Sequence, residues 1–317
     1  MKHALITGVA GFIGSHLADQ LLARGWKVTG IDNFDEYYSS EIKRRNICGH
    51  FSYDTYTFVN VDIRNKFALD KLKGDYDVIV HLAAKAGVRP SLLDPVAYHE
   101  VNVIGTQNIL ELAKKWGVKK VLFASSSSVY GKNAKVPWSE DDNVLLPVSP
   151  YAVTKVSGEM IGHIYSALYG IQFISLRFFT VYGPRQRPDL VIHKFAQLML
   201  EGREIPIFGD GSSLRDYTYI DDVVNGILKA LDYEETRYEI FNIGSGYPIK
   251  LIDVVRVLEN VLKVKAKIKF LPFQLGDVPQ TWANIDKARK LLGYEPNVPF
   301  DTGVKNFVQW FLTSNHR

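Results

Sequence analysis

Two side chains that together can move a proton lie close together in the stretch YAVTK, where Tyr151 precedes Lys155. On a helix, positions i and i+4 share one face, so the ammonium lies beside the phenol. A neighbouring positive charge favours the phenolate and lowers the pKa of a tyrosine from its usual value of about 10. The pair is therefore a candidate general base and acid near neutral pH, although the same spacing is common on helices without a catalytic role.

A second candidate is the serine run in VLFASSSSVYG, which occupies positions 125–128 at the end of an apolar stretch. One interpretation is a polar exit from a buried strand. The other is that one hydroxyl lies beside a reacting oxygen and relays a proton to a neighbouring base. The residue types alone leave both interpretations open.

A glycine-rich turn, TGVAGFIGSH, follows the first predicted strand and opens the first predicted helix. Gly8, Gly11 and Gly14 let the backbone approach a pyrophosphate, which would face the free N–H groups of the helix N-terminus. The second predicted strand ends at Asp32, whose carboxylate can hold both hydroxyls of an adenosine ribose and would repel a 2′-phosphate. The turn therefore predicts a dinucleotide site that favours NAD over NADP.

The hydrophobic pattern supplies the scaffold for these groups, because apolar runs of strand length alternate with amphipathic stretches of helix length. Such alternation predicts an α/β fold with a Rossmann-like, doubly wound parallel sheet. After Thr180 prolines and glycines become frequent, which indicates a smaller C-terminal α/β lobe that binds the substrate. We expect residues 1–179 to form the NAD-binding domain, with a returning segment near 212–245, and residues 180–317 to form mainly the second lobe.

The predicted strands cover residues 3–8, 27–32, 56–63, 76–84, 119–128 and 171–179. The predicted helices cover residues 12–24, 95–116, 151–169, 191–201 and 251–261.

The composition favours a soluble enzyme of small anionic substrates. The 317 residues carry a formal net charge of +4, too small to indicate a nucleic-acid partner. The most basic run, LKVKAKIKF, alternates strictly and predicts a half-exposed strand. Cys48 is the only cysteine, no cluster has metal-ligand spacing, and no apolar run is long enough to span a membrane. The stretch MKHALITG is broken too soon by glycine for a signal peptide, so we expect a cytoplasmic protein. Because no cluster has metal-ligand spacing, we expect no bound metal.

The Gly-x-x-Gly-x-x-Gly spacing, together with VDIRN and HLAAKAG, resembles the extended short-chain dehydrogenase/reductases. The resemblance implies a bound NAD, with Tyr151 and Lys155 as the catalytic pair and Lys155 also holding the nicotinamide ribose. It implies further cofactor contacts from Phe12, Ile13, Asn33, Asp62, Ile63, Leu82, Ala83, Ala84, Asn102, Ser125 and Phe179.

Within that superfamily the chain is most similar to the UDP-sugar 4-epimerases, and to the UDP-glucuronate 4-epimerases in particular. The stretches that carry this resemblance include GIDNFDEYYSSEIKRRN, HLAAKAGVRPSL, LRFFTVYGP, RDYTYIDDVV and QLGDVPQTWANI. It implies that the Ser126 hydroxyl bridges the substrate oxygen and Tyr151. Nucleotide-sugar dehydratases carry Asp-Glu at the positions of Ser127 and Ser128, and related decarboxylases carry Glu at the position of Ser128. Serines there imply oxidation and re-reduction at C4, through a 4-keto sugar, without elimination.

The resemblance also implies the substrate contacts. Arg215 is expected to bind the pyrophosphate of a UDP-sugar. Arg187, with Thr180, is expected to bind the C6 carboxylate of a uronate, because a guanidinium matches a planar carboxylate. Gln274 occupies the position where galactose-type epimerases have a second arginine. The remaining expected substrate contacts are Arg89, Ser126, Ser127, Ser128 and Asp277.

Two stretches depart from the UDP-glucuronate 4-epimerase pattern. This chain has GPRQRPD where those enzymes usually have Gly-Pro-Trp-Gly-Arg-Pro-Asp, and SLRDYT where they usually have Met/Arg-Arg-Asp-Phe. Both departures lean toward the UDP-glucose or UDP-N-acetylglucosamine 4-epimerases, and they leave Arg185 either near the carboxylate or facing solvent. A 4-keto-sugar reductase and a non-catalytic NAD-binding protein are further alternatives, although an intact Tyr151–Lys155 pair counts against the second. The resemblance also implies a homodimer packed through the helices near 95–116 and 150–169.

Overall fold

The computed structural model describes residues 1–142, 146–273 and 278–314. The strands are β1 His3–Thr7, β2 Lys27–Asp32, β3 Tyr56–Asn60, β4 Val78–His81, β5 Lys120–Ser126, β6 Gln172–Phe178, β7 Thr180–Tyr182, β8 Glu204–Phe208, β9 Leu214–Tyr219, β10 Tyr238–Ile243, β11 Pro248–Lys250 and β12 Lys267–Leu271. The helices are α1 Phe12–Ala23, α2 Ser40–Ile47, α3 Lys66–Leu69, α4 Val88–Leu93, α5 Pro95–His99, α6 Gly105–Trp116, α7 Pro150–Tyr169, α8 Val191–Leu200, α9 Ile220–Leu231, α10 Leu251–Leu262, α11 Asp286–Leu292 and α12 Phe300–Ser314.

The largest element is a seven-stranded sheet in the order β10-β6-β5-β4-β1-β2-β3, and every neighbouring pair in it is parallel. This is the predicted Rossmann-like, doubly wound fold. The direction of winding reverses between β1 and β4. At such a switch point the loops that leave the two strands diverge, and a ligand crevice forms outside the carboxyl ends of the strands.

Helices pack against both faces of this sheet and bury them. Successive residues of a strand point to opposite faces, so they pack into different layers. Ala4 and Ile6 of β1 belong to the same buried cluster as Leu17 of α1. Leu5, between them, belongs instead to the cluster that contains Ile109 of α6. Fully burying one such aliphatic side chain contributes about 1.5–3 kcal/mol, so the two layers give the crevice a rigid base.

The second lobe is built from two small sheets and the helices around them. β7, β9 and β11 form one sheet, and β8 pairs with β12 in the other. β10 returns to the large sheet beside β6, whereas β9, which also lies in the segment 212–245, belongs to a small sheet. The division of the chain at residue 179 into two domains stays a prediction. Of the basic run LKVKAKIKF, only Lys267–Phe270 is strand. Leu262 is the last residue of α10, and residues 263–266 connect that helix to β12.

The predicted helix over residues 95–116 is interrupted. α5 and α6 are joined by a π-helical turn, Glu100–Ile104. A π-helical turn holds an extra residue and often occurs at functional sites. Here it carries Asn102, whose side-chain amide donates to the carbonyl of Lys85 over 2.9 Å and accepts from its N–H over 2.8 Å. Helices α2, α3, α4, α9, α11 and α12 are absent from the predicted set.

No helix in the described part of the chain is both long and apolar enough to cross a membrane.

Candidate active site

A cleft of about 510 Å³ opens at the carboxyl ends of the large sheet and extends between the two lobes. Predicted cofactor contacts that line it are Gly8, Gly11, Phe12, Ile13, Gly14, Asp32, Asn33, Asp62, Ile63, Leu82, Ala83, Ala84, Ser125, Tyr151, Lys155 and Phe179. Predicted substrate contacts that line it are Ser126, Ser127, Ser128, Thr180, Arg187 and Arg215. The structure thus brings most of the predicted site together in one cavity.

Two predicted site residues do not line the cleft, and two more lie outside the described residues. Arg89 is not among the lining residues, and its guanidinium lies 4.7 Å from the ring centroid of Phe208. Asn102 lies behind the wall of the cleft, where it holds the loop after β4 rather than lining the cavity. Gln274 and Asp277 lie outside the described residues. Direct ligand contacts for these residues stay predictions.

The glycine turn between β1 and α1 leaves no room for side chains. Gly8 has a φ of +71°, and a Cβ on it would lie 2.8 Å from the Ala83 nitrogen. A Cβ on Gly14 would lie 2.2 Å from the Gly8 carbonyl oxygen. No side chain caps the first turn of α1, so its N–H groups are available to an anion at the cleft wall. These features fit the pyrophosphate of a dinucleotide.

The carboxylate of Asp32 is fixed at the end of β2 by two backbone N–H groups. Ala10 donates to Oδ2 over 3.1 Å and Phe34 donates to Oδ1 over 2.8 Å. Each oxygen keeps a lone pair for a ribose hydroxyl. Burial raises the pKa of Asp32, while its hydrogen bonds and the nearby Lys43 act in the opposite direction.

Lys43 is a lining residue that sequence reasoning missed. It lies on α2 with only 6% of its surface exposed, and its ammonium is 4.4 Å from the ring centroid of Tyr38, another lining residue. Burial lowers the pKa of Lys43, and the carboxylates of Asp32 and Asp35 oppose that effect. The stretch SSEIKRRN is not among the predicted helices, and its residue types alone do not show which of its cations turns inward.

A buried histidine fixes the loop after β4. His81 Nδ1 lies 2.6 Å from Thr7 Oγ1, and Thr7 Oγ1 also accepts from the N–H groups of Leu82 and Ala83. Thr7 must therefore donate its own proton to Nδ1, which makes Nε2 the protonated nitrogen. Nε2 then donates to Thr106 Oγ1 over 3.0 Å. Burial lowers the pKa of His81 to about 3, so it stays neutral and is structural.

Tyr151 and Lys155 lie on the first turns of α7, which begins after Ser149. The Ser149 hydroxyl accepts from the N–H of Ala152 over 3.1 Å and caps the helix. The Lys155 ammonium lies 5.8 Å from the Tyr151 ring centroid and donates to the carbonyl of Ala124 over 2.7 Å. The predicted i, i+4 pair is therefore present on the cleft wall, beside the end of β5.

The pKa of Tyr151 is shifted in the direction opposite to the expected one. Burial raises the pKa of Tyr151, and a hydrogen bond to Ser126 and the positive charge of Arg187 only partly offset that effect. Burial also lowers the pKa of Lys155 to about 7, with Glu159 acting against it. The expected lowering of the Tyr151 pKa by Lys155 is thus not reproduced by the chain's own groups, because burial disfavours both charged forms.

A buried ion pair beneath the serine run was also missed. Glu159 accepts from Arg177 through Nε over 2.9 Å and Nη2 over 2.8 Å, and both side chains are 6% exposed. Ser125 Oγ donates to the same carboxylate over 2.5 Å, and Ser175 Oγ lies 3.3 Å from it. Ser125 is thereby aimed away from the cleft.

The other serines have separate settings. The Ser126 hydroxyl accepts from the N–H of Ser128 over 3.2 Å, which starts the short 3₁₀ turn Ser127–Tyr130. Ser128 Oγ is buried and has no hydrogen-bond partner among the described residues. Of the four serines, Ser126 is the one whose hydroxyl acts on Tyr151, where it lowers the pKa of the phenol against the effect of burial, so it is the candidate for relaying a proton.

Arg187 projects into the other end of the cleft from the loop after β7. Asp189 binds its Nε and Nη2 atoms over 2.9 Å each. The Tyr37 hydroxyl donates to the same carboxylate over 3.2 Å, and the guanidinium lies 5.6 Å from the Tyr37 ring centroid. A ligand carboxylate would therefore meet the opposite edge of the guanidinium, formed by Nη1 and Nη2.

Charges of both signs line the cleft. The carboxylates of Asp32, Asp35 and Asp62 lie among the lining residues together with the cations of Lys43, Lys85, Lys155, Arg187 and Arg215. The described residues hold no group of three or more His, Cys, Asp or Glu side chains that could bind a metal ion.

Comparisons with known proteins agree with this geometry. A model of the NAD dependent epimerase/dehydratase family matches residues 4–244. A UDP-glucuronate 4-epimerase from Thermodesulfobacterium geofontis is 42% identical over 313 residues, which are 98% of this chain and 96% of that protein. The structure of UDP-glucuronic acid 4-epimerase from Bacillus cereus, in complex with UDP-glucuronic acid and NAD, matches with a TM-score of 0.93 and 39% identity over 98% of this chain and 99% of that one. The structure of UDP-glucose 4-epimerase from Thermotoga maritima with UDP-glucose matches with a TM-score of 0.91 and 34% identity over 99% of each chain.

Proposed function

Because this chain belongs to the NAD-dependent epimerase/dehydratase family, we propose that it binds NAD and inverts C4 of a UDP-sugar, with UDP-glucuronate and UDP-galacturonate as the interconverted pair. The observation that carries this proposal is the placement of Tyr151 and Lys155 on the cleft wall beside Ser126, where the neighbouring positions, Ser127 and Ser128, carry hydroxyls instead of carboxylates. Among the described residues, the serine run thus supplies no carboxylate to act as the second acid or base that an elimination needs.

In the proposed mechanism Tyr151 Oη takes the proton of the 4-hydroxyl, either directly or through Ser126 Oγ. Arg187 favours the phenolate by its positive charge. Lys155 Nζ holds the nicotinamide ribose and is itself held by the Ala124 carbonyl. A bound NAD would supply reversible hydride transfer at C4, and its cationic ring would add positive charge that favours the Tyr151 phenolate. Tyr151 then returns the proton to the 4-keto sugar after the sugar has turned its other face to the cofactor.

The two arginines that line the cleft, Arg187 and Arg215, support a UDP-uronate as the substrate. We assign Arg215 to the pyrophosphate and Arg187, with Thr180, to the C6 carboxylate. The similarity to UDP-glucuronate 4-epimerases across nearly the whole chain points the same way.

A second candidate, UDP-glucose 4-epimerase, is favoured by one specific observation. Asp189 already neutralises Arg187 and occupies its Nε–Nη2 edge, so a neutral hydroxymethyl group at C6 would leave no positive charge unpaired. The similarity to a UDP-glucose 4-epimerase is consistent with this alternative.

We further propose that the enzyme is a cytoplasmic homodimer. α7 leaves a row of apolar side chains exposed at helical spacing, with Met160 57%, Ile164 49% and Leu168 69% exposed. Leu93 and Val96, on the neighbouring α4 and α5, are 88% and 65% exposed. A continuous apolar face of this kind is typical of a protein–protein contact, and a second copy would bury it.

The test is to incubate the purified enzyme, without added cofactor, with UDP-glucuronate, UDP-glucose and UDP-N-acetylglucosamine in separate reactions. Chromatography that resolves C4 epimers then identifies the products. UDP-galacturonate as the main product supports the proposal, whereas UDP-galactose as the main product favours the second candidate. A reductase would instead consume added NADH stoichiometrically.

A Tyr151→Phe variant is the matched control, because it removes only the phenolic oxygen. We expect it to retain NAD and to lose turnover. A Tyr151→Phe enzyme that remains active would refute the assignment of the base.

A further inference from the structure

Arg185 has a role that the sequence left open, because it neither lines the cleft nor simply faces solvent. Its Nη1 atom lies 2.7 Å from Oδ2 of Asp19 on α1. Only 28% of the Arg185 side chain is exposed. This ion pair joins the loop after β7, in the second lobe, to the helix whose first turn lies at the glycine turn.

Asp19 is an anchor that is itself held in place. Its other oxygen, Oδ1, lies 2.7 Å from Nε2 of His50, which is 2% exposed. His16, one turn before Asp19, donates through Nδ1 to the carbonyl of Phe12 over 2.9 Å. Phe12 lines the cofactor end of the cleft. The Asp19 carboxylate that pairs with Arg185 therefore lies on the helix whose first turn forms the wall of the cofactor site.

Residues 183–190, which we call the Arg185 loop, are stiff enough to transmit this contact. Arg185 adopts a φ of +62°, a conformation that non-glycine residues rarely take unless contacts hold them there. Gln186 is 1% exposed; its N–H donates to the Gly183 carbonyl over 3.2 Å, and its own carbonyl accepts from His193 over 3.2 Å. Leu190 donates to the Arg187 carbonyl over 3.2 Å.

The loop meets the cofactor-binding lobe through Arg185, Arg187 and Asp189. Arg185 reaches Asp19 on one side, and Asp189 accepts from Tyr37 on the other. Arg187 lies between them in the chain and its guanidinium lies 5.6 Å from the Tyr37 ring centroid, so these contacts together fix its distance from the cofactor wall. We propose that Arg185 is a positioning residue that, by pairing with Asp19, holds the Arg185 loop against α1 and thereby places Arg187 for the sugar. The proposal rests on the proposed function, since it takes Arg187 as a contact of the sugar and not of the UDP.

The test uses Arg185→Met, which keeps the length of the side chain but removes its charge. Partly exposed ion pairs are worth little, so we expect the KM for UDP-glucuronate to rise about three- to fivefold while kcat and the inhibition constant of UDP stay close to wild type. Arg185→Lys, which retains a positive charge, should restore most of the KM. Asp19→Asn should act like Arg185→Met, and the double variant should be no worse than either single one.

Arg203→Met is the matched control. Arg203 is also paired, with Glu201 over 2.9 Å, but its side chain is 67% exposed and it does not line the cleft. The proposal is overturned if Arg185→Met leaves the KM unchanged, or if the UDP inhibition constant rises in step with the KM, since the residue would then serve only the stability of the fold.

Calorimetry separates this inference from the proposed function. UDP-glucuronate and UDP are each titrated into the NAD-loaded wild-type and Arg185→Met proteins. A selective loss of affinity for UDP-glucuronate supports the positioning role even if the wild-type reaction differs from the proposed one. Equal affinities in the two proteins contradict the positioning role, and a wild-type protein that binds neither ligand contradicts both proposals.

Discussion

Replacing Lys155 by methionine should change how the stability of the protein depends on pH. Lys155 is 3% exposed, and burial lowers its pKa from the ordinary 10.5 to about 7. At about 1.4 kcal/mol for each pKa unit, carrying the buried charge costs the folded protein about 5 kcal/mol when the pH is below 7. The methionine side chain has a similar length and no charge, so it removes this cost.

The sign follows from proton binding. Between the folded and unfolded pKa values of Lys155 the unfolded state binds more protons, so the wild-type stability rises with pH above about 7. Between about pH 6 and about pH 8.5 that gain is about 2 kcal/mol, and Lys155→Met lacks it. The loss of the bond to the Ala124 carbonyl adds an offset that does not vary with pH.

The measurement is urea unfolding of nucleotide-free wild-type and Lys155→Met proteins across this pH range. Taking the difference between the two proteins cancels the titration of all the groups they share. Lys119→Met, at an exposed lysine, is the control and should show no pH-dependent difference. A difference between wild type and Lys155→Met that is constant with pH would refute the reasoning, because it would mean that Lys155 titrates in the folded state as it does in the unfolded chain.

Three further changes test separate parts of the molecule. Gly14→Ala places a Cβ 2.2 Å from the Gly8 carbonyl oxygen, so the purified protein should fold but lose its NAD, which the nucleotide released on denaturation would measure. Arg177→Met leaves the buried Glu159 carboxylate unpaired and should lower the free energy of unfolding by about 3–5 kcal/mol in urea titrations. Met160→Glu puts a charge into the exposed apolar row of α7 and should convert the proposed dimer to a monomer in sedimentation experiments; a variant that still sediments as a dimer would exclude that face as the interface.

The parts of the site that could be predicted from sequence are those in which neighbouring positions carry the function. The glycine turn, Asp32 at the end of β2 and the Tyr151–Lys155 pair all belong to this class. Each depends on a local spacing, and the regular backbone then determines where the side chains point, for example from one face of a helix or from the end of a strand. The placement of the predicted strands succeeded for the same reason.

The parts that could not be predicted depend on contacts between distant segments. Thr7 and His81 are 74 positions apart, and no local pattern indicates that they meet. Glu159 and Arg177 lie on different elements and look like ordinary surface charges in the sequence. The direction of the Tyr151 pKa was missed because a sequence shows the neighbouring lysine but not the depth at which both side chains are buried.

The serine run can be explained by the Glu159–Arg177 ion pair beneath it as well as by the lack of the acidic residues that related dehydratases and decarboxylases carry at these positions. The one carboxylate that touches the run among the described residues is that of Glu159, and Arg177 neutralises it from below. Ser125 covers that carboxylate, so the cleft wall beside Tyr151 presents hydroxyls. A hydroxyl can pass a proton along a hydrogen bond but does not hold a charge near neutral pH. Among the described residues, the serine run therefore presents no carboxylate to the cleft, which suits the proposed exchange of one proton between Tyr151 and the 4-hydroxyl group.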